Sequence, residues 1–525
     1  MGGADSDVSP SGRLRLPAQL LLGFIAGAVY TLAFAPFHYW PLTFASVAML
    51  FLLLSRAEER MLLIAWVFGL GKYGVGVSWI YVSIHQYGGV SPLLAGFMVA
   101  VFVAFMALFC LPMGWFLGKL KALDHNISNP VLAMAFVATW VLMEWMLTWF
   151  LTGFPWLFAG HSMLGTPLQG YAPVIGTLGI SLVVVTITVA AMLSADSAQT
   201  SIVRLGMSGV VLVLVGLGFS LDRQVWTKPT GRYGAALVQG NIDQAIKWDA
   251  DQRLINVRKH MRLSEEHWDA DVLIWPEFAL TLYGQDAVMV TDLLNRRGDV
   301  SHTNVVVGMP DVHWQDQERY QVFNSAQGFG RASGKFAKHH LVPFGDYVPL
   351  QDYLRGLIEF FDLPMSNASR GARNQTNIVL TLSGQDQAVE VATGICYEIA
   401  YGDSLRRQAE TSGLLLTISN DTWFGRSIGP HQHMQIAQMR ALENGRWLLR
   451  ATNNGASGIV NPRGEITAEL PQFEANVLRG EFEVMKGRTP YSKLGDIPAL
   501  FLLTVLLVVT VTRSRRTNFS QETKP

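Results

Sequence analysis

Three short stretches of this chain hold side chains able to do covalent chemistry. In Leu273-Ile274-Trp275-Pro276-Glu277 a carboxylate follows an apolar run. A carboxylate at such a place is partly desolvated and can act as a base. Taken alone, most glutamates at such places are helix caps or surface charges. The stretch from Lys335 to Asp346 is a basic cluster entering a Pro/Gly turn. A lysine there can stabilise an oxyanion and lower the pKa of a nearby thiol. The plain alternative is a solvated turn. In Gly394-Ile395-Cys396-Tyr397-Glu398 a cysteine stands at the end of an apolar run. Sulfur is a strong nucleophile at neutral pH, and its thioester reacts with amines. A carboxylate to take the proton, a lysine to hold the developing charge and a thiol to attack form a complete acyl-transfer set.

These stretches need a scaffold that brings strand ends together. Residues 232–480 alternate short β-like runs with helical patterns. Strands are expected at Tyr233–Gln239, Val272–Trp275, Asn304–Met309, Val391–Ile395 and Leu414–Ser419, and helices at Asp251–Asp269 and His433–Gly445. Apolar strands separated by polar segments predict a layered α/β fold with a largely buried sheet. No glycine-rich phosphate loop follows any strand, and no repeat of 20–50 residues is visible.

The rest of the chain is of another kind. Of 525 residues, 15% are charged and the formal net charge is +0, which points away from nucleic acid as a partner. The charge is uneven. Residues 1–221 carry 15 charged side chains, about 7%, and residues 222–493 carry 59, about 22%. A soluble protein has roughly 25%. A helix needs roughly 20 apolar residues to cross a bilayer. Eight runs are candidates: 17–35, 38–54, 61–80, 92–116, 130–150, 172–193, 202–220 and 494–512, the second being short. The expected organisation is a membrane domain of about seven helices over 1–221, a polar domain over 222–493, a last span over 494–512 and a tail over 513–525.

Orientation follows from the basic residues. With eight spans, Arg13, Arg15, Arg56, Arg60, Lys119, Lys121, Arg204, Arg513, Arg515 and Arg516 fall on one side. The loops around Phe37–Trp40, Tyr81–Ser91 and Leu151–Tyr171 have no Lys or Arg. Both termini are thus expected in the cytoplasm and the polar domain outside. The first span reads as a retained signal-anchor. Met1-Gly2 with Ser6 matches a myristoylation pattern only formally. Cys110 lies in a span and Cys396 in the polar domain, so no disulfide is expected. Lys72 and Glu144 lie within spans, where a charge is either functional or part of an ordering pair.

The spacing of the three reactive stretches resembles the nitrilase (carbon–nitrogen hydrolase) superfamily, and the whole chain resembles the apolipoprotein N-acyltransferase family. The stretches that carry the resemblance include Gln239-Gly240-Asn241-Ile242, Lys247-Trp248, Trp275-Pro276-Glu277 and Phe323-Asn324-Ser325-Ala326. Others are Lys338–Pro349, Ile395-Cys396-Tyr397-Glu398, Ser419–Gly425 and Asn453-Asn454-Gly455, with Ser78–Ser83 and Gly153-Phe154-Pro155-Trp156 in the membrane part. The resemblance implies an αββα sandwich beside a multi-span helical domain. It implies Cys396 as nucleophile, Glu277 as general base and Lys338 as oxyanion stabiliser. Glu398, Tyr397, Asn324, Asp346, Trp248 and Trp156 map onto positions around the substrates. The implied reaction is ping-pong. A phospholipid, expected to be phosphatidylethanolamine, acylates Cys396, and the acyl group passes to the N-terminal amine of a diacylated apolipoprotein. No cofactor or metal is implied. The expected setting is the bacterial inner membrane, and the expected state a monomer.

Two positions depart from the family pattern. Phe336 replaces a tyrosine, and Asp346 replaces a glutamate in the Pro-Phe-Gly turn. Asp346 keeps the charge, so activity is expected to survive, with its hydrogen bond to the lysine or to the base rearranged. His431-Gln432-His433 lacks a carboxylate set and is not read as a metal site. The alternatives are a membrane-anchored amidase using the same three residues, and a non-catalytic lipid transporter.

Overall fold

The computed structural model describes residues 15–124, 127–315, 320–349, 353, 366–385 and 387–522. Arg13, the Met1–Ser6 pattern and the side chains of Arg515 and Arg516 lie outside what it describes. The apolar runs of the first half form helices α1 (Leu16–Tyr30), α2 (Pro41–Arg56), α3 (Met61–Gly76), α4 (Pro92–Ala107), α5 (Leu111–Leu123), α6 (Asn129–Met146), α7 (Ala172–Ala195) and α8 (Ser201–Asp222). Proline stands in the first turn of α1, α2, α4, α5, α6 and α7. Its fixed φ suits that position, and the N–H it lacks has no partner there anyway.

Among the described residues six helical stretches are long and apolar enough to cross a membrane. They are the spans built on α1, on α4 with α5, on α6, on α7, on α8 and on the last helix. The expected run 61–80 is bent instead: α3 stops at Gly76 and resumes as Ile80–Tyr87 at an angle of 60°, which makes a seventh if the pair is one span. The Gly76 carbonyl freed at this break accepts from Gln432 Nε2 at 3.1 Å. With 16 residues, α2 is shorter than the eight-span reading needs. Helices α1 and α3 cross at glycines: a β-carbon on Gly27 would lie 2.1 Å from the Phe68 carbonyl oxygen, and one on Gly71 2.1 Å from that of Phe24. Small residues at such crossings let backbones approach closely.

The intramembrane charges are taken up inside the bundle. Lys72 is fully buried, with its ammonium 5.1–5.6 Å from the rings of Tyr30, Tyr73 and Trp140. Glu144 accepts from Trp140 Nε1 at 2.9 Å and from the Ala159 N–H at 2.8 Å. Trp140 therefore links the two charges, an arrangement that orders the bundle.

Among the described residues the polar half forms two six-stranded sheets. The first has the order β12-β1-β2-β3-β4-β5, from β1 (Lys228–Gln239), β2 (Val272–Trp275), β3 (Asn304–Trp314), β4 (Tyr320–Gly330), β5 (Lys335–Ala337) and β12 (Asn476–Lys486). The second has the order β11-β10-β9-β8-β7-β6, from β6 (Ile378–Leu380), β7 (Val389–Ile395), β8 (Leu414–Ser419), β9 (Leu448–Thr452), β10 (Gly458–Val460) and β11 (Ile466–Glu469). The central strands β1-β2-β3 and β7-β8-β9 are parallel.

Alternation along each strand builds the layers. Ile274 and Leu416 point between the sheets, in one core with Val306, Ile395 and Leu449. Leu273 and Trp275 point the other way, into a core with Val257 of α9 (Ala250–Leu263) and Leu294 of α10 (Gly284–Ser301). The outer face of the second sheet is covered by α11 (Gly402–Gln408) and α12 (Gly429–Asn444). Here the core does not stop. Ala392, Leu415 and Met439 belong to the same buried cluster as Phe136, Trp140 and Leu178 of the membrane helices. The changeover from helices to sheets lies at 223–227, and α13 (Ile497–Glu522) returns to the membrane part.

Candidate active site

The three reactive side chains leave the C-terminal ends of strands. Glu277 follows β2, Lys338 follows β5 and Cys396 follows β7. A fourth strand end, that of β8, adds Asn420. Glu277 is buried and its two oxygens are held from both sheets. Asn324 Nδ2 on β4 donates to Oε1 at 2.6 Å, and the Asn420 N–H donates to Oε2 at 2.8 Å. Lys338 Nζ stands 3.6 Å from Oε1. On its other side the ammonium meets Asp346 Oδ2 at 2.7 Å, an oxygen that also accepts from the Val342 N–H at 2.8 Å. The shorter aspartate thus reaches the lysine directly. Phe336 is buried between the sheets.

Several turns at this edge are conformationally strained. Cys396 has φ 54°, Phe278 φ 50° and Phe344 φ 63°. Such values are rare for bulky L-residues and persist only where surrounding contacts impose them. At Cys396 one contact is His433. Its Nε2 lies 3.1 Å from the Cys396 carbonyl oxygen, which can only accept, so Nε2 carries the proton. Burial and the neighbouring Arg450 guanidinium hold His433 below the usual imidazole range. Its Nδ1 stands 3.0 Å from an Arg450 nitrogen and 3.1 Å from Asp421 Oδ1, and Arg450 also bonds Asp421 at 2.8 Å.

The electrostatics separate the roles. Burial and the Glu277 charge push the Cys396 thiol up to about 12, and Lys338 acts against this without prevailing. Lys338 lowers the thiol as expected, but desolvation of the thiolate outweighs that attraction. At neutral pH the sulfur keeps its proton and needs a base. Burial lowers the Lys338 ammonium as well, but Asp346 and Glu277 more than offset it and hold the group well above its ordinary value. Lys338 is a fixed cation, suited to facing an oxyanion and not to shuttling protons.

Residues 26–190 match the apolipoprotein N-acyltransferase N-terminal domain, and residues 234–486 match the carbon-nitrogen hydrolase family. The apolipoprotein N-acyltransferase of Pseudomonas syringae pv. tomato is 41% identical over 474 residues, covering 90% of this chain and 92% of that protein. That of Vibrio cholerae is 37% identical over 499 residues, covering 92% and 95%. This chain belongs to the apolipoprotein N-acyltransferase family. Family membership makes it an acyltransferase with a nitrilase-like domain joined to membrane helices. Among solved structures, a Saccharomyces cerevisiae member of branch 10 of the nitrilase superfamily is 16% identical with a TM-score of 0.35, over 49% of this chain and 91% of that one.

Within this acyltransferase, several residues expected around the substrates have other surroundings. Trp156 is 1% exposed, lies in the joint core and donates to Gln432 Oε1 at 2.7 Å. It presents no surface to a substrate. Tyr397 is buried against it, ring centroids 6.3 Å apart and nearly parallel. Both are where the two domains seal against each other. The Glu398 carboxylate is also spent internally. Oε1 accepts from the N–H groups of His339 and His340, at 2.7 and 3.0 Å, and Oε2 from Ile395 at 3.0 Å. It braces the Lys338 turn against the Cys396 turn. Trp248 is half-buried, edge-on to Phe278 at 5.0 Å, beside Glu277.

Lys247 was visible as part of a matching stretch but had no role assigned. It is buried and donates to the Glu277 carbonyl oxygen at 3.0 Å. Burial lowers it to about 8, against the pull of Glu277 and Cys396. No sequence signal marks it apart from any lysine after a strand. Asn420 acts through its backbone, which sequence does not display.

Glu398 yields a pH prediction. Burial raises it from 4.5 to about 7, partly offset by its backbone donors. An acid raised on folding favours the folded state at low pH, and that advantage is lost as pH rises through the folded value. Stability is expected to fall by about 3 kcal/mol between about pH 4.5 and 7 on this account. Glu398→Gln should lack this component. Melting temperatures of both proteins in detergent across that range would check it; parallel curves would contradict the assignment.

Proposed function

We propose that this chain transfers a fatty acyl group from a membrane phospholipid, through a thioester on Cys396, to the N-terminal amine of a diacylated apolipoprotein. One observation carries the reading: a buried carboxylate, a permanently charged lysine and a protonated thiol converge on a domain whose core continues into membrane helices. In this reading Glu277 takes the Cys396 proton as the sulfur attacks the ester carbonyl. Lys338 faces the oxygen that becomes negative. The tetrahedral adduct collapses, the lysophospholipid oxygen leaves with the proton from Glu277, and an acyl thioester remains. The incoming amine then attacks that carbonyl, Glu277 accepts its proton, and the thiolate departs and is reprotonated.

Phosphatidylethanolamine is the proposed donor and a monomer the proposed state. The proposed setting is the bacterial inner membrane, with both termini cytoplasmic and the catalytic domain on the periplasmic face. The lysines and arginines at one set of helix ends support this, with α2 as a short eighth crossing. The domain boundaries near residues 221 and 493 are retained in this proposal. Asn324, Asp346 and Glu398 are proposed as positioning residues.

The test is intact-mass measurement of the purified chain after incubation with phospholipid. A fatty-acyl increment that neutral hydroxylamine removes is expected, followed by transfer to a diacylated peptide. Ammonia released from small amides without any acyl increment would support the amidase reading instead.

A further inference from the structure

A cavity that is partly open to the outside lies beside the catalytic wall. It has a volume of about 940 Å³ and is lined by none of Glu277, Lys338 and Cys396. Its apolar side comes from Trp145 and Trp149, at the end of α6, and from Leu500 in the first turn of α13. Both helices are candidate membrane spans. Trp149 and Ile497 at the same lining are half or more exposed, so this side faces the bilayer.

The floor is polar and its hydrogen bonding is incomplete. Glu443 is fully buried, and its Oε2 has no partner among the described residues. Both ring nitrogens of buried His161 and Nε of buried Arg440 are likewise unpartnered. All three residues line the cavity, as does Asp496. The Glu443 Oε1 accepts from the N–H and hydroxyl of Thr177 and pairs with Arg440 at 3.1 Å. That pair neutralises itself. Asp496 makes no side-chain hydrogen bond or close ion pair among the described residues, and Arg440 and Arg406 attract it only from further away.

A buried group left without its hydrogen bond is costly, so such a floor calls for a ligand. Its open positions are mostly acceptors: the Asp496 carboxylate, Glu443 Oε2 and a histidine nitrogen. A primary ammonium brings three N–H donors and a positive charge. The open donors, Arg440 Nε and the protonated ring nitrogen of His161, suit a phosphate oxygen next to that ammonium. We propose that this cavity holds, without reacting with it, a membrane phospholipid whose headgroup ends in a primary ammonium. Its chains run past Trp145, Trp149 and Leu500 into the bilayer. The inference does not depend on the proposed reaction.

The test counts lipids on the full-length Cys396→Ala protein, which cannot turn over, by native mass spectrometry. The protein is offered equal amounts of ethanolamine-, choline- and glycerol-headed phospholipids with matched chains. A retained ethanolamine-headed lipid is expected, preferred over the choline-headed one by about tenfold, because a trimethylated nitrogen has no N–H to donate. Adding Asp496→Asn should remove that lipid while any lipid at the catalytic site stays. Leu500→Trp, which fills the apolar side, should do the same and serves as the deciding variant if Asp496→Asn does not fold. With Cys396 restored, both variants should still form the acyl-enzyme. Equal retention of all three headgroups, or unchanged retention in the folded variants, would overturn the proposal. Loss of acyl-enzyme in the parent chain alone would count against the reaction and leave the lipid count to stand.

Discussion

The Cys396→Ala protein is expected to gain no acyl mass from phospholipid and to transfer none to a diacylated peptide. Without its nucleophile the reaction should fall to background, roughly a 10⁴-fold loss or more. The substitution should leave the fold intact, which makes the loss interpretable. Alanine keeps a β-carbon on the backbone at φ 54°, so the strain there is unchanged. The carbonyl of residue 396 still accepts from His433. Removing a single sulfur atom leaves at most a small void. Intact mass gives the chemical result, and a melting temperature within a few degrees of the parent shows that the fold survives. Full acyl transfer by this variant would sink the thioester mechanism.

Glu277→Gln should be the next most damaging change. With the thiol pushed up to about 12, only a minute fraction is thiolate at neutral pH. The base must supply the rest, and losing it should slow acyl-enzyme formation about 10²- to 10⁴-fold. Glutamine is close in shape, and the site can hold it. Its oxygen can accept from the Asn420 N–H, and its amide can donate to Asn324, whose Oδ1 has no partner now. The variant also loses the negative charge that helps to raise the thiol. Its residual rate should therefore climb as pH rises above neutral, because hydroxide replaces the missing base. Rates of thioester formation across pH 6–10 would show this (about tenfold per pH unit is the limiting slope). A flat profile at the wild-type rate would remove Glu277 from the base role.

Much of this was legible in the residues, and the exceptions have physical reasons. Val272–Trp275 and Leu414–Ser419 form strands with the expected boundaries, because each is a short apolar run bounded by turn residues. Glu277, Lys338 and Cys396 follow their strands by one or two positions, so the strand ends alone bring them to one edge. The run 61–80 misled because apolarity does not encode direction. Its break at Gly76 is stabilised by Gln432, more than 350 residues away. Trp156 misled for a related reason. The resemblance sets it beside the substrates, but here the catalytic domain covers it and it bonds Gln432. His431-Gln432-His433 raised only the question of a metal. On α12 its members diverge: Gln432 turns to Trp79, Trp156 and Gly76, and His433 turns to Cys396.

That divergence on α12 has a further consequence. Gln435, three residues on, accepts from the Ala35 N–H and donates to the His161 carbonyl oxygen. One helix is thus bolted to the bundle on one side and to the nucleophile's backbone on the other. In the proposed setting this ties the sulfur to the membrane helices, so a swing of the domain is not what brings it to its partners. Donor and acceptor must instead arrive by sliding within the sheet of lipid. The encounter is two-dimensional. Its pace should track the number of molecules per unit of membrane area, and diluting the aqueous phase around a given membrane should leave it unchanged.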